Sequence, residues 1–253
     1  MTQAGKYATF AALHVPGDPL VLFNIWDAGS AKAVAKAGAK AIATGSASVA
    51  AAQGFTDAEG LPVGLALANA ALIAGMADLP VTIDFEGGYA VSPEGVAANM
   101  KRLMATGAIG CNFEDQVIGG EGLYAAGAQA ARIRAAREAV GVNFFINART
   151  DIFLKAKAGT HDAAKVDAAI ERAKAYADAG ANGFFAPGLA DLALLERLCR
   201  AAPLPVNFMA WPGSPAREDV AGAGVARVSH GPFPHKSAMN ALEEAARAAF
   251  AGA

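Results

Sequence analysis

The stretch "VTIDFEGGYAVSPEGVAANMKRLMATGAIGCNFED", residues 81–115, contains the pattern that decides the fold. Apolar runs at 81–86 and 110–115 each end in acidic residues and predict two short buried strands. Between them, Ser92 and Pro93 are typical of an N-cap followed by a first helical residue, and "MATGAIG" is typical of a helix end. Two buried strands joined by a helix are the repeating unit of a parallel sheet.

The same alternation continues on both sides and predicts eight strands in all. They cover residues 21–26, 41–46, 81–86, 110–115, 144–150, 183–188, 205–210 and 225–231. Eight such units within 253 residues predict a single domain over residues 1–253, a (β/α)8 TIM barrel. A doubly wound sheet is disfavoured, because "WDAGSAKA" opens the first helix where dinucleotide-binding folds carry GxGxxG. A second Ser-Pro pair, Ser214 and Pro215, predicts a helix start like that at Ser92.

Composition and charge argue against several classes of partner. The formal net charge is −2 and the basic residues are scattered, so nucleic acid is not expected. The longest apolar helical segment, residues 65–76, is shorter than the roughly 20 residues needed to cross a bilayer, and the N-terminus does not resemble a signal peptide. The two cysteines lack CxxC spacing, which argues against a disulfide framework. We therefore predict a cytoplasmic protein with no nucleic-acid or membrane partner.

Polar residues gather at the carboxyl ends of the predicted strands, where TIM barrels place their active sites. They are Asp27, residues 45–48, Asp84, Glu86, Glu114, Asp115, Asn147, Arg149, Asp151, Asn207, Ser229 and His230. Acids collected there cost free energy unless a cation or ion pairs neutralise them. Asp84 and Glu86 point to the same side of their strand, and with Glu114 they could coordinate a hard divalent cation. The alternative is that these acids cap turns or form ion pairs with Arg149.

The sequence gives less support to other catalytic chemistries. No lysine falls on a predicted strand, which disfavours a Schiff-base aldolase. The four histidines show no HExxH spacing, so a catalytic zinc is not expected.

Several stretches, taken together, resemble the isocitrate lyase and phosphoenolpyruvate mutase superfamily. They are "FNIWDAGSAKAVAKAGAKAIATGSASVA", "GFTD", "VTIDFEGGY", "CNFEDQ", "INARTD" and "AKAYADAGANGFF". The resemblance implies a (β/α)8 barrel with its C-terminal helix swapped between the subunits of a homo-oligomer, a dimer or a tetramer. It also implies Mg²⁺, or Mn²⁺, at the barrel mouth and a small carboxylic acid substrate that passes through an enolpyruvate-like oxyanion.

The resemblance also assigns metal-site roles by position. Asp84 resembles the principal metal ligand. Glu86, Glu114 and Asp57 resemble residues that bind the ion or its waters, and Asp57 counts among the catalytic candidates. Glu86 departs from the family's aspartate, which is one methylene shorter.

Substrate contacts follow from the resemblance in the same way. Residues Gly45, Ser46 and Ala47 resemble the segment whose backbone amides hold the substrate carboxylate. Arg149 resembles the arginine that binds the oxo-acid oxygens. Trp26 stands where the family carries an aromatic residue beside the substrate, and Asn207 is included among the substrate-binding candidates.

The loop after the fourth strand departs most from the family. Its lyases carry KKCGH there and its phosphonate mutases a Lys and an Asn, whereas this chain has "QVIGGEGLY" at 116–124. Glu121 is the candidate general acid or base, the alternative being a solvated loop glutamate.

The predicted function is a Mg²⁺-dependent lyase that cleaves a C–C bond of a small 2-oxo or hydroxy di- or tricarboxylic acid, with decarboxylation included. One alternative is a P–C bond enzyme like phosphoenolpyruvate mutase or phosphonopyruvate hydrolase. The other is a barrel that binds a 2-oxo acid without catalysis.

Overall fold

Eight parallel strands form the centre of the protein in a computed structural model, which describes residues 1–76, 78–157 and 159–252. The strands are β1 (Leu20–Leu22), β2 (Ile42–Ala43), β3 (Val81–Asp84), β4 (Gly110–Glu114), β5 (Phe145–Arg149), β6 (Gly183–Phe185), β7 (Val206–Met209) and β8 (Arg227–Ser229). Neighbours pair in parallel from β2 through β8, and β8 pairs with β1. The predicted (β/α)8 barrel is confirmed.

The barrel closes between β1 and β2 through a single bridge, from Ile25 to Thr44. The Ile25 N–H donates to the Ala43 carbonyl at 2.8 Å, and the Gly45 N–H donates to the Ile25 carbonyl at 3.2 Å. The side chain of Asn24 also crosses this seam, because its Nδ2 donates to the Thr44 carbonyl at 2.7 Å. The seam between β1 and β2 therefore depends on a few hydrogen bonds.

Helices alternate with the strands, and most of them cover the outside of the barrel. They are α1 (Gln3–Ala12), α2 (Ala28–Lys36), α3 (Ser46–Ala52), α4 (Val63–Met76), α5 (Pro93–Ala105), α6 (Ala126–Val140), α7 (Ala163–Asp178), α8 (Leu192–Ala201), α9 (Arg217–Gly222) and α10 (Phe233–Phe250). None of the helices in the described part of the chain is both long and apolar enough to cross a membrane.

The two Ser-Pro pairs have different outcomes. The Ser92 Oγ accepts from the Gly95 N–H and Pro93 begins α5, as predicted. The prediction at Ser214 is wrong, because α9 begins at Arg217 with Ala216 at the N-cap. The Ser214 Oγ instead accepts from the Trp211 N–H at 3.1 Å and closes a tight turn before the helix.

Helix α1 closes the amino-terminal end of the barrel. Phe10 is fully buried and meets the ring of Phe145 edge to face, with 5.2 Å between ring centroids. His14 stacks on the same ring at 4.4 Å. Burial lowers the pKa of His14 to about 3, so the imidazole is neutral in this apolar plug.

Helix α10 extends over little of the barrel. Pro234 is its one buried residue, and Met239, Leu242 and Phe250 are 40%, 63% and 89% exposed. An apolar groove of about 860 Å³ lies beside β1 and α2, lined by residues such as Leu20, Phe23 and Val34.

Candidate active site

Two cavities open at the carboxyl ends of the strands, each of about 210 Å³. Both are lined by Ser46, Asp57, Arg149 and Leu154, so they adjoin. The first cavity also contacts Asn24, Gly45, Ala47, Asp84, Asn112, Phe185, Met209, Ser229, Gly231 and Pro232. The second also contacts Ala58, Glu86, Glu114, Gln116, Asp151 and Lys155. Most of the predicted site residues therefore meet at this mouth.

Asp84 is held at the end of β3 by its neighbours on both sides. Its Oδ2 accepts from the Ser46 N–H at 3.1 Å, and its Oδ1 accepts from Asn112 Nδ2 at 3.3 Å. Its own N–H donates to Thr44 Oγ1 at 2.8 Å. These bonds fix the carboxylate against the wall of the first cavity, and each oxygen keeps a lone pair for another partner.

Asp57 brings a second carboxylate to the same cavity from the segment between α3 and α4. Burial raises the pKa of Asp57, and the charge of Asp84 raises it further. Two carboxylates that repel each other across a shared cavity create a field that favours a bound cation.

The Asn112 side chain is oriented by two donors inside the barrel. Its Oδ1 accepts from Asn147 Nδ2 at 2.9 Å and from Arg227 Nη2 at 3.1 Å. Because both donors meet the oxygen, the amide nitrogen faces Asp84. Arg227 is 1% exposed, and burial lowers its pKa to about 9. Arg227 was not predicted from the sequence, although a charged residue within the apolar run "VARV" was a usable signal.

Asn207 belongs to this interior layer rather than to the cavity wall. It is 1% exposed, its Oδ1 accepts from Asn147 Nδ2 at 3.2 Å, and its Nδ2 donates to Ser229 Oγ at 3.1 Å. It therefore supports Asn147 and Ser229 from below the cavities.

Arg149 lies between two carboxylates at the end of β5. Its Nη1 is 2.9 Å from Glu114 Oε2, and its Nε and Nη2 donate to the two oxygens of Asp151 at 2.6 and 2.9 Å. Burial alone lowers the pKa of Arg149, but the charges of Glu114 and Asp151 outweigh it and raise the pKa overall. Three of its five N–H groups are engaged, which leaves two for a ligand.

Asp115 lies outside both cavities and joins the ends of β4 and β5 to α7. Its Oδ2 accepts from Tyr176 Oη at 2.8 Å and from Arg172 Nη1 at 3.0 Å, and its Oδ1 accepts from the Asp151 N–H at 3.0 Å. Asp115 therefore fixes the backbone of Asp151, whose carboxylate pairs with Arg149.

Glu86 is 3% exposed, and both oxygens of its carboxylate are hydrogen-bonded. Oε2 accepts from the Glu59 N–H at 2.5 Å and Oε1 from Tyr89 Oη at 2.9 Å. Burial raises the pKa of Glu86 to about 7, the hydrogen bond from Glu59 opposes this, and the charges of Asp84 and Asp57 add to it. Glu59 and Tyr89 were not singled out from the sequence, because their role depends on two loops that pack together.

The predicted metal ligands are not gathered into a cage. Within residues 1–76, 78–157 and 159–252, no three His, Cys, Asp or Glu side chains form a group ready to hold a metal. Asp84 faces the first cavity with Asp57, whereas Glu114 pairs with Arg149 and Glu86 with Glu59. Mg²⁺ commonly takes one or two protein carboxylates and keeps its waters. The donor set fits Mg²⁺ bound chiefly through Asp84, with Asp57 close by.

Comparison with known proteins settles the family. The family model for phosphoenolpyruvate phosphomutase matches residues 10–250. The chain belongs to this family. A putative phosphonomutase from Burkholderia cenocepacia J2315 is 49% identical, with a TM-score of 0.95, over 98% of this chain and 99% of that one.

Two curated members of the family are also similar. An uncharacterised protein of Mycobacterium tuberculosis H37Rv is 37% identical over 95% of this chain and 88% of its own length. The 2-methylisocitrate lyase of Escherichia coli K12 is 30% identical over 77% of this chain and 70% of its own length. The family therefore includes C–C lyases as well as phosphonate enzymes, and the resemblance seen in the sequence is confirmed.

Two further predicted site residues do not line the cavities: Trp26, assigned by resemblance to this family, and Glu121, proposed from the loop that departs from it. The Trp26 ring meets His235 edge to face, at 4.8 Å between centroids, and packs beside Val49 and Leu61. Glu121 is exposed on a small hairpin closed by the bridge between Gln116 and Leu123. Of that loop, Gln116 is the residue that reaches the second cavity.

Proposed function

We propose that the protein is a Mg²⁺-dependent lyase that breaks a C–C bond of a small 2-oxo or hydroxy di- or tricarboxylic acid through an enolpyruvate-type oxyanion. The observation that carries the proposal is the first cavity, which is lined by a fixed Asp84 carboxylate and by Arg149. The likeness to 2-methylisocitrate lyase supports the same class of reaction.

The chain's own residues give this cavity its chemistry. The Ser46 N–H and Asn112 hold Asp84, so its free lone pairs need no reorganisation to meet a cation. The two unengaged N–H groups of Arg149 can bind an oxyanion as charge develops on it. Asp57 brings a second carboxylate to the cavity, where it can bind the cation or its waters. Bound Mg²⁺ would supply Lewis-acid stabilisation of the same oxyanion.

The P–C bond alternative is supported by the family model and by the likeness to the putative phosphonomutase, but the lining of the cavities favours it less. Arg149 and Lys155 are the cationic residues that line the two cavities, and Arg149 is engaged by two carboxylates. A phosphonyl group carries more negative charge than a carboxylate and favours a site with more arginine or lysine.

The assembly proposed with this function is a homo-oligomer that exchanges α10. The helix presents Met239, Leu242 and Phe250 to solvent, while the groove beside β1 and α2 lies open on the same barrel. A second copy of α10 would bury both surfaces. Leu242→Glu is expected to shift the protein toward monomers in sedimentation velocity, and an unchanged distribution would contradict the exchange.

Calorimetric titration with oxalate tests the proposed function, because oxalate mimics the pyruvate enolate. Phosphonopyruvate hydrolase, which shares this fold at 21% identity, has been crystallised with oxalate and Mg²⁺. We expect oxalate binding that requires Mg²⁺ and disappears on chelation. Absence of binding in both conditions would overturn the proposal. Turnover of 2-oxo acids then separates a lyase from a barrel that binds without catalysis.

A further inference from the structure

Two loops at the barrel mouth contain every non-glycine residue with a positive φ in the described part of the chain. Ala58 and Glu59, at 60° and 59°, follow Asp57 in the segment between α3 and α4. Glu86 and Tyr89, at 49° and 54°, lie in the segment between β3 and α5. This conformation costs free energy for a residue with a Cβ and persists where the surroundings impose it. Its concentration in two facing loops indicates that contacts between them hold both in place.

Three hydrogen bonds form a closed cycle of Glu59, Glu86 and Tyr89, here called the clasp; two of them cross between the loops and the third lies within the loop after β3. The Glu59 N–H donates to Glu86 Oε2 at 2.5 Å. The Tyr89 N–H donates to Glu59 Oε1 at 2.7 Å, and Tyr89 Oη donates to Glu86 Oε1 at 2.9 Å. Each member of the clasp therefore contacts the other two.

The segment around Gly87 is closely packed on both sides. A Cβ added to Gly87 would lie 2.9 Å from Glu59 Oε1 and 3.1 Å from Ile118 of the loop after β4. On the other side, Arg132 Nη2 donates to the carbonyls of Gly87 and Ala90 at 2.5 and 2.9 Å. Three loops of the mouth thus converge at Gly87, and Glu59 is the member from the loop that contains Asp57.

We propose that Glu59 is a positioning residue of the candidate active site. Its side chain ties the loop of Asp57 to the end of β3, and its N–H keeps Glu86 within the clasp. Asp57 is thereby held beside Asp84, and these two carboxylates are the ones presented to a divalent cation. This assignment rests on the proposed Mg²⁺ and 2-oxo acid site.

Two substitutions separate the hydrogen bond of Glu59 from its charge. Glu59→Ala removes the acceptor for the Tyr89 N–H, whereas Glu59→Gln keeps an acceptor oxygen and removes the charge. Calorimetry with oxalate at saturating Mg²⁺ should show about a tenfold loss of affinity in Glu59→Ala, the effect of about one lost hydrogen bond, and near wild-type affinity in Glu59→Gln. Glu138→Ala, which removes an exposed glutamate of α6, is the matched control and should bind as wild type.

Hydrogen exchange provides a measurement that does not depend on ligand. Amides of residues 53–61 and 85–90 should exchange faster in Glu59→Ala than in wild type, with the other barrel segments unchanged. Unchanged exchange rates in both segments would contradict the proposal that Glu59 holds the two loops together. Equal loss of oxalate affinity in Glu59→Ala and Glu59→Gln would also overturn it, because charge rather than hydrogen bonding would then matter. If wild type itself binds no oxalate with Mg²⁺, the proposed function fails while the exchange measurement still decides on the clasp.

Discussion

The two halves of the barrel mouth differ in charge. The half formed by β3, β4, β5 and the segments before α4 and α7 contributes Asp57, Asp84, Glu86, Glu114, Arg149, Asp151 and Lys155 to the cavities. The half formed by β6, β7 and β8 contributes Phe185, Met209, Ser229, Gly231 and Pro232, none of them charged. In the proposed function, the charged half would bind the metal and the oxyanion, and the uncharged half would contact the rest of the ligand.

In the proposed lyase, this difference would favour a reaction whose departing fragment is uncharged when it forms. A carboxylate facing Phe185 and Met209 would lose hydration without gaining an ion pair, which costs free energy. Carbon dioxide is uncharged and has no such desolvation cost. Within the proposed lyase chemistry, the uncharged half thus favours decarboxylation.

The largest effect is expected from Asp84→Asn in the charged half. Removing a residue that hydrogen-bonds to a metal ligand typically lowers the affinity for the metal by roughly 10-fold to 100-fold. Removing the ligand itself should lower it further. We expect Mg²⁺-dependent oxalate binding to fall below detection in calorimetry. Asp178→Asn, an exposed change at the end of α7, is the control. If Asp84→Asn still binds oxalate in a Mg²⁺-dependent way, Asp84 is not the principal metal ligand.

Arg149→Met tests the balance of charge within the same half. The change leaves Glu114 and Asp151 buried without their cation, which should lower the free energy of unfolding by about 3–5 kcal/mol. Urea denaturation measures this loss. Arg200→Met breaks an exposed ion pair with Glu196 and should cost less than about 1 kcal/mol. Similar losses in the two variants would contradict the ion-pair description.

Glu86 should make stability depend on pH. Its pKa is raised from 4.5 to about 7, chiefly by burial, so the folded protein binds this proton more tightly than the unfolded chain. Stability should therefore fall as pH rises through that interval, by about 3 kcal/mol in total. Glu86→Gln, which mimics the protonated side chain, should lack this part of the pH dependence when the free energy of unfolding is measured by urea denaturation below pH 4.5 and above about pH 7. If the free energy of unfolding changes equally with pH in the variant and in wild type, the raised pKa of Glu86 is contradicted.

The smallest effects are expected in the uncharged half. Met209→Leu conserves volume and should cost under about 1.5 kcal/mol of stability, with oxalate binding unchanged. Met209→Lys adds a cation to that wall and should strengthen binding of oxaloacetate relative to pyruvate by up to about fivefold, as for a partly exposed ion pair. Calorimetry with both acids measures the ratio. No change in the ratio would show that the second carboxylate does not face β7.

The sequence predicted the barrel because its signals are local. Each strand is a short apolar run, and Ser92 with Pro93 marks a helix start through contacts within one turn. The helix start predicted at Ser214 was wrong because the Ser214 hydroxyl accepts from the Trp211 N–H, three residues earlier in the chain. Residue type alone does not show whether a serine hydroxyl caps a following helix or closes a preceding turn.

The candidate site was predictable only in part. Acids at strand ends are visible in sequence, and Asp57, Asp84, Glu86, Glu114 and Arg149 do line the cavities. Which partner each side chain meets depends on contacts between loops distant in sequence. Glu59 and Arg227 were missed for that reason. Trp26, assigned by resemblance, and Glu121, proposed from the loop that departs from the family, lie elsewhere.

The seam between β1 and β2 has a consequence for inactivation. Asn24 crosses the seam to Thr44, and its Oδ1 also accepts from the N–H groups of His230 and Gly231 at 2.7 and 3.0 Å. Asn24, Gly45 and Gly231 line the first cavity on both sides of this junction. If the hydrogen bonds between β1 and β2 opened locally, the two sides of the first cavity would move apart while the remaining strands stayed paired. Mild denaturant should therefore abolish ligand binding before the barrel loses its secondary structure.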